Sequence, residues 1–512
     1  MLKDMTIFGF KKLQLTILTI IVTFIVGLVG VLMMNGSIGG DVSSNVVSFS
    51  RIGVFCLVFS VAVWFVLRRE MICPYIMYLV CAWGFMFGQC LFWAFGSVTL
   101  HKNLYNRYDD ATMLPAMVFT VLCLMAMHLG AMLSAKDLSV NRFNQGTLKR
   151  RMTTEEAMRA IKISAWILFA ISVLPFIYTS AKNISLVLSS NYKQLYLEES
   201  NSRFDEILEV LRSFLIPSMV LLLVAYPKSR FISFMFIIFS AVIILTKSVI
   251  GGRGGSFMMV ITFICAWHFI KKPLNWARIL AIVLVVYILL VGSTILGAVR
   301  NTRNKTVETY TSAYEIVSEK ENPAVSAIGE IGWQLSSTVE VMKHVPSDYE
   351  FRNGKTYFYS MTTIIPNLGF WDVHPAVKNA QLTKWLQAVM NLNYGPGFSI
   401  VAEAYINFGW FGILFMIIEG LIFGRILTSS DRYSIKYNPE MLSINLTFLV
   451  VSTLSATRSS ALVFVRSVLY NVVPVYLLIL IVNYSIKYSS RKAEIKSTGA
   501  DKIKSRLTGA KQ

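Results

Sequence analysis

Four glycines surround one arginine in GGRGG (251–255), between two apolar runs of the chain. Backbone without β-carbons lets a ligand come close, and free amides beside a guanidinium suit an anion. A tight turn whose Arg253 snorkels to lipid headgroups is the plainer reading of the same residues. Arg300 and Arg303 follow the next apolar run in VRNTRNK, on one face if the helix continues. Arg458 and Arg466 flank and enter the last apolar run in TRSSALVFVR. Eight residues of helix would set them about 12 Å apart along one face. Charges that merely terminate a span are common. An arginine within an apolar run is not, and ionisable groups at membrane depth are functional hypotheses by default. Guanidinium groups match phosphate oxygens in bidentate geometry and keep their charge at any physiological pH. The guest these positions suit is a lipid-linked pyrophosphate, whose departure preorganised cations would stabilise.

Carboxylates and histidines are fewer. Glu330 lies in GEIGWQ, and Glu403 lies in GPGFSIVAEAYINFGWFG (395–412), four residues before Asn407 and so on the same helical face. Either glutamate could serve as general base toward an attacking hydroxyl, as could His374 in WDVHPAV. A buried structural partner is the plainer role for Glu403, and a surface histidine for His374. Glu419, deeper in the same apolar run, is expected to pair with a polar neighbour. Adjacent carboxylates at Asp109 and Asp110 can hold a divalent cation. Two aspartates at an exposed turn are commoner, so no metal is assigned. No P-loop or dinucleotide fingerprint stands in a usable context, and no cofactor is implied. The six cysteines all fall within apolar runs, with neither disulfide nor zinc spacing.

The elements that hold these residues are membrane helices. The 512-residue chain is 55% hydrophobic and only 15% charged, against about 45–50% and 25% in soluble domains. Spans of about 20 apolar residues fall at 13–34, 52–67, 71–95, 112–134, 161–179, 210–226, 231–246, 256–270, 279–297, 399–426, 441–457 and 460–483. The fold class is thus an all-α polytopic membrane protein of about twelve transmembrane helices. Net charge is +20, and 28 of the 48 Lys and Arg fall in segments that are cytoplasmic if the N-terminus is inside. Every short connection then obeys the positive-inside rule, both termini face the cytoplasm, and nucleic acid is not needed to explain the charge. Residues 298–398 form one long external loop, with nine basic and nine acidic residues. Its stretches 327–345 and 376–390 are amphipathic, suited to the interface or to covering a cavity mouth. The domains are a nine-span bundle (1–297), the loop (298–398), a three-span bundle (399–483) and a basic cytoplasmic tail (484–512).

This layout resembles the Wzy-type oligosaccharide repeat unit polymerases of bacterial surface polysaccharide synthesis. The likeness rests on GGRGG, the arginines after the following span, the large loop, GEIGWQLSSTVEVM (329–342), NGKTYFYSMTTIIPNLG (353–369) and GPGFSIVAEAYINFGWFG. It is strongest from about 248 to 466. The resemblance implies a GT-C-like membrane glycosyltransferase at the outer face of the bacterial cytoplasmic membrane. It would transfer a growing glycan from undecaprenyl pyrophosphate to another lipid-linked repeat unit, with inversion and without nucleotide sugar. The product would be O-antigen, capsule or exopolysaccharide. By motif position Arg253, Arg300 and Arg458 would hold carrier pyrophosphates, with Arg303, Lys355 and Arg466 beside them. Glu330, His374 and Glu403 are the candidate bases. Implied partners are lipid-linked donor and acceptor, the bilayer, and the chain-length regulator and flippase of the same pathway. A surface-glycan ligase of the same architecture and a lipid-linked oligosaccharide flippase are the competing readings.

Overall fold

The computed structural model describes residues 2–39, 42–96, 103–136, 152–189, 203–249, 253–271, 273–299, 307–320, 325, 329, 331–365, 367, 370–392, 395–431 and 433–489. Helices account for all its regular structure, with no strand among the described residues. The first ten are α1 (Leu2–Met34), α2 (Val42–Arg68), α3 (Pro74–Trp93), α4 (Asp110–Ser134), α5 (Thr154–Ser189), α6 (Arg203–Ser213), α7 (Leu215–Ala225), α8 (Arg230–Val249), α9 (Arg253–Ala266) and α10 (Trp276–Val299). The long segment that follows holds α11 (Val307–Lys320), α12 (Leu335–His344), α13 (Lys355–Met361), α14 (Pro375–Ala380) and α15 (Leu382–Val389). The chain closes with α16 (Ile400–Phe408), α17 (Gly412–Leu427), α18 (Pro439–Arg458) and α19 (Ala461–Ser489), the last with a π-turn at Val468–Val472.

Ten stretches among the described residues are long and apolar enough to cross a bilayer: α1 to α5, α6 with α7, α8, α16 with α17, α18 and α19. In hydrocarbon the backbone must satisfy its own polar groups, which helices do, and the protein is all-α and polytopic. The other two expected spans correspond to the short apolar helix Met259–Lys271 and to α10, a helix of 24 residues whose side chains lie largely outside the described set. α2 starts well before the expected residue 52. Within α2, Ser50 Oγ donates to Val46 O of the same helix at 2.9 Å, and Arg51 Nε reaches across to Ala94 O at 3.2 Å.

Lipid tails are as apolar as leucine, so membrane helices associate through close packing rather than apolar burial. α4 lies at the centre, with 94% of its most apolar stretch buried against 22% for the peripheral α1. α4 and α17 meet backbone to backbone. A β-carbon on Gly130 would stand 2.1 Å from Ile417 O, and one on Gly420 2.0 Å from Met127 O. Gly420 and Gly424 have the small-residue spacing of tightly paired membrane helices.

At one end of the bundle basic side chains cap helix-end carbonyls. Lys12 Nζ donates to Leu133 O (2.7 Å) and Ala135 O (3.0 Å), Arg68 to Lys136 O, and Lys271 Nζ to Pro227 O (2.6 Å). Cations are favoured at the negative ends of helix dipoles. The opposite end carries the long segment. There Gln89 of α3 donates to Gly329 O (2.8 Å), accepts from Leu104 N (3.0 Å), and leaves no room beside Gly332 for a β-carbon. The stretch 327–345 does not lie at an interface: Leu335 through Val341 are buried against the bundle. The stretch 376–390 is not one amphipathic helix, because the chain breaks at Gln381 (φ −82, ψ 71) between α14 and α15.

Candidate functional site

The long segment is fastened to the last spans through Glu403. Ser399 caps α16, its Oγ accepting from Ala402 N at 3.0 Å and sharing a hydrogen with Ser337 Oγ at 3.0 Å. That cap aims Glu403, fully buried, at two donors. Thr356 Oγ1 donates to Oε1 at 2.6 Å, and the Ala461 amide, the first of α19, donates to Oε2. A carboxylate at a helix N-terminus is favoured by the dipole and supplies the acceptor that free amides need. Asn407 completes the joint: its Nδ2 donates to Thr356 Oγ1 (2.7 Å) and its Oδ1 accepts from Gly354 N (3.0 Å). Arg352 N and Asn353 N bond to Ile406 O (2.8 Å) and Asn407 O (3.1 Å), and left-handed Asn353 and Gly354 (φ 49 and 80) turn the chain into α13. The expected shared face of Glu403 and Asn407 is therefore used, as a joint between 352–356, α16 and α19.

Arg458 ends α18 at the same joint. Its carbonyl accepts from Phe398 N at 3.1 Å, and Gly397 (φ +83) is pressed between that carbonyl and Gln334 Oε1. Arg458 is half-buried and Arg466 exposed. They do not lie along one helix: Ser459 is extended (φ −144, ψ 171), and α19 starts anew at Ala461. Lys355, the first residue of α13, is exposed beside Thr356. His374 caps α14, accepting from Ala376 N at Nδ1 (3.1 Å) and bonding Ile365 O through Nε2 (2.9 Å). Both ring nitrogens are thus occupied by backbone groups. Ala376, Ala380 and Leu462 pack with Tyr359, which brings α13, α14 and the start of α19 together. Glu330, Arg300 and Arg303 lie outside the described residues. So does the Arg253 side chain, although its backbone opens α9.

Several residues not singled out from sequence belong to this end of the bundle. Glu340 of α12 accepts from Tyr108 Oη (2.7 Å) and pairs with Arg107 Nη2 (3.4 Å), tying the long segment to the α3–α4 connection. Burial and the hydrogen bond to Glu340 push the Tyr108 phenol well up. Asp109 precedes α4 and accepts from the Thr112 hydroxyl, which is a turn role. Among the described residues no group of three His, Cys, Asp or Glu could hold a metal ion. Glu419 Oε2 is buried and has no hydrogen-bond partner among the described residues. A cavity of about 400 Å³ lies next to the joint, lined by Ser459 and Ser467 beside the two predicted arginines and by Arg212 and Lys247 of α6 and α8. No motif marked these two cations. Their signal was charge in or beside a span, since Arg212 lies within 210–226 and Lys247 directly follows 231–246.

The family model for O-antigen polysaccharide polymerase Wzy matches residues 15–489, nearly the whole chain. The chain belongs to the Wzy O-antigen polysaccharide polymerase family. No curated protein and no solved structure matches it. Membership makes this Wzy chain a polymerase of O-antigen repeat units and a multi-pass bacterial membrane protein acting on lipid-linked oligosaccharides. The match covers the spans and the long segment alike, so the joint at Glu403 and the Arg458 corner fall within the Wzy architecture.

Proposed function

We propose that the chain joins undecaprenyl-pyrophosphate-linked repeat units at the outer face of the cytoplasmic membrane, by inverting glycosyl transfer with the carrier pyrophosphate as leaving group. The observation that carries this reading is the family match along 15–489. The structure supports it by gathering Arg458, Lys355 and His374 where the long segment meets α16 and α19. Arg253, Arg300, Arg303, Lys355, Arg458 and Arg466 would neutralise the diphosphates of donor and acceptor. Charge developing on the leaving diphosphate is met by cations already in position, which lowers the barrier without reorganisation. The base would take the proton of the acceptor hydroxyl as that oxygen bonds to the anomeric carbon and the carbon–phosphate oxygen bond breaks. Glu330 fits this role best of the three candidates, because Glu403 and His374 already have both of their polar atoms engaged. The chain-length regulator and flippase of the pathway would act alongside it.

The test uses purified protein in lipid with a synthetic undecaprenyl pyrophosphate repeat unit and no nucleotide. A ladder of carrier-linked oligomers is expected. Single units that only cross the bilayer would point to a flippase. Transfer only to a different acceptor would point to a ligase.

A further inference from the structure

The cavity beside the joint carries cations that the reading above does not use. Its walls are α5, α6, α7, α8, α18 and α19, and among the described residues its charged lining is Glu209, Arg212 and Lys247. Arg212 Nε pairs with Glu209 at 2.7 Å and Nη1 donates to Thr179 Oγ1 at 3.3 Å; the arginine is 21% exposed and the glutamate 48%. Lys247, at the end of α8, makes no hydrogen bond or ion pair among the described residues. One carboxylate against two cations leaves a net positive charge within membrane helices, where an uncompensated charge is costly. An anion from outside the chain removes that cost.

The lining also has a direction. Four residues deeper into the bundle, Ile216 follows Arg212 across the α6–α7 break and Ile243 precedes Lys247 along α8, and both line the cavity with Phe176. Polar Asn183, Ser459 and Ser467 face the same space. Phe176, Ile216 and Ile243 give this space apolar walls beside its cations and alongside polar Thr447 and Asn471, so it offers charge and apolar surface together, as an amphiphile with a phosphate head and a hydrocarbon tail requires.

We propose that this cavity binds the phosphate head of an anionic lipid, held by Arg212 and Lys247, with Glu209 competing for Arg212. The site rests on the polymerase reading only for which lipid fills it: an isoprenoid diphosphate carrier or a bilayer phospholipid.

Binding is measured with full-length protein in phosphatidylcholine nanodiscs, using radiolabelled geranylgeranyl pyrophosphate as probe. Arg212→Gln with Lys247→Gln should weaken retention by about 10-fold or more. Lys247→Arg should retain the probe, and Glu209→Gln should bind it more tightly, since it frees Arg212. A purely structural ion pair would instead make Glu209→Gln and Arg212→Gln lose stability alike with no change in retention, and that result overturns the proposal. So does failure of the wild type to retain the probe, or wild-type retention by the double variant. Displacement by unlabelled geranylgeranyl pyrophosphate but not by phosphatidylglycerol names the isoprenoid as occupant. Displacement by both names anionic lipid in general, and either outcome supports the site. Retention requires no turnover, so a protein that binds the probe yet makes no polymer keeps the site and loses the polymerase reading.

Discussion

A carboxylate buried without water needs a donor for each oxygen, and Glu403 has the Thr356 hydroxyl on one and the Ala461 amide on the other. Thr356 cannot turn its hydrogen away freely, because its oxygen already accepts from Asn407. Glu403→Gln would therefore set an amide NH₂ against a donor on one side. We expect a loss of about 1–3 kcal/mol, seen as a lower melting temperature in nanodiscs; an unchanged melt would remove the joint's structural role. Arg458→Ala and Arg253→Ala should abolish polymer while leaving insertion and melting intact, and full activity in both would sink the diphosphate clamp. Tyr108 has the opposite linkage to a depressed acid. Its raised phenol adds stability that is complete below the ordinary 10.0 and is lost as pH climbs through the folded value. Thermal melting of Tyr108→Phe should lack the alkaline part of that loss, whereas an identical alkaline profile would mean that Tyr108 does not report on Glu340. The pairing of Glu403 with Asn407 was readable from a four-residue spacing. Thr356 was not, because its partner is 47 residues away in sequence and no local pattern encodes that contact.

Helices were the most readable elements, since about 20 apolar residues in a row leave few alternatives to a span. Their edges were less so: α2 extends into polar residues, of which Arg51 finds its partner, Ala94 O, only in the folded bundle. Apolar periodicity in 376–390 could not reveal the break at Gln381, nor could hydropathy show that Leu335 through Val341 are buried. Contact between α4 and α17 depends on missing side chains, a signal that hydropathy ignores. Gly420→Leu would drive a side chain into the Met127 carbonyl. It should prevent recovery of a monodisperse protein from the membrane, judged by size-exclusion profile, while Leu421→Val on the exposed side should not. Equal behaviour of the two would show that the close approach does not hold the bundle.

At the scale of the whole molecule, the +20 charge separates into two uses. Lys12, Arg68 and Lys271 cap helix-end carbonyls at one end. A smaller set, Arg458 among them, gathers where the long segment meets α16 and α19, and Arg212 and Lys247 face the cavity beside it. Family and polytopic class were readable from motifs and hydropathy. The cavity was not, because six separate helices build it and no stretch of sequence contains it. The central claim is that glycan chains grow by displacing carrier diphosphate. Its most direct measurement counts undecaprenyl pyrophosphate released for each glycosidic bond formed by the purified protein without nucleotide. One carrier released per bond is the predicted result; bonds formed without release, or only when nucleotide is supplied, would contradict it.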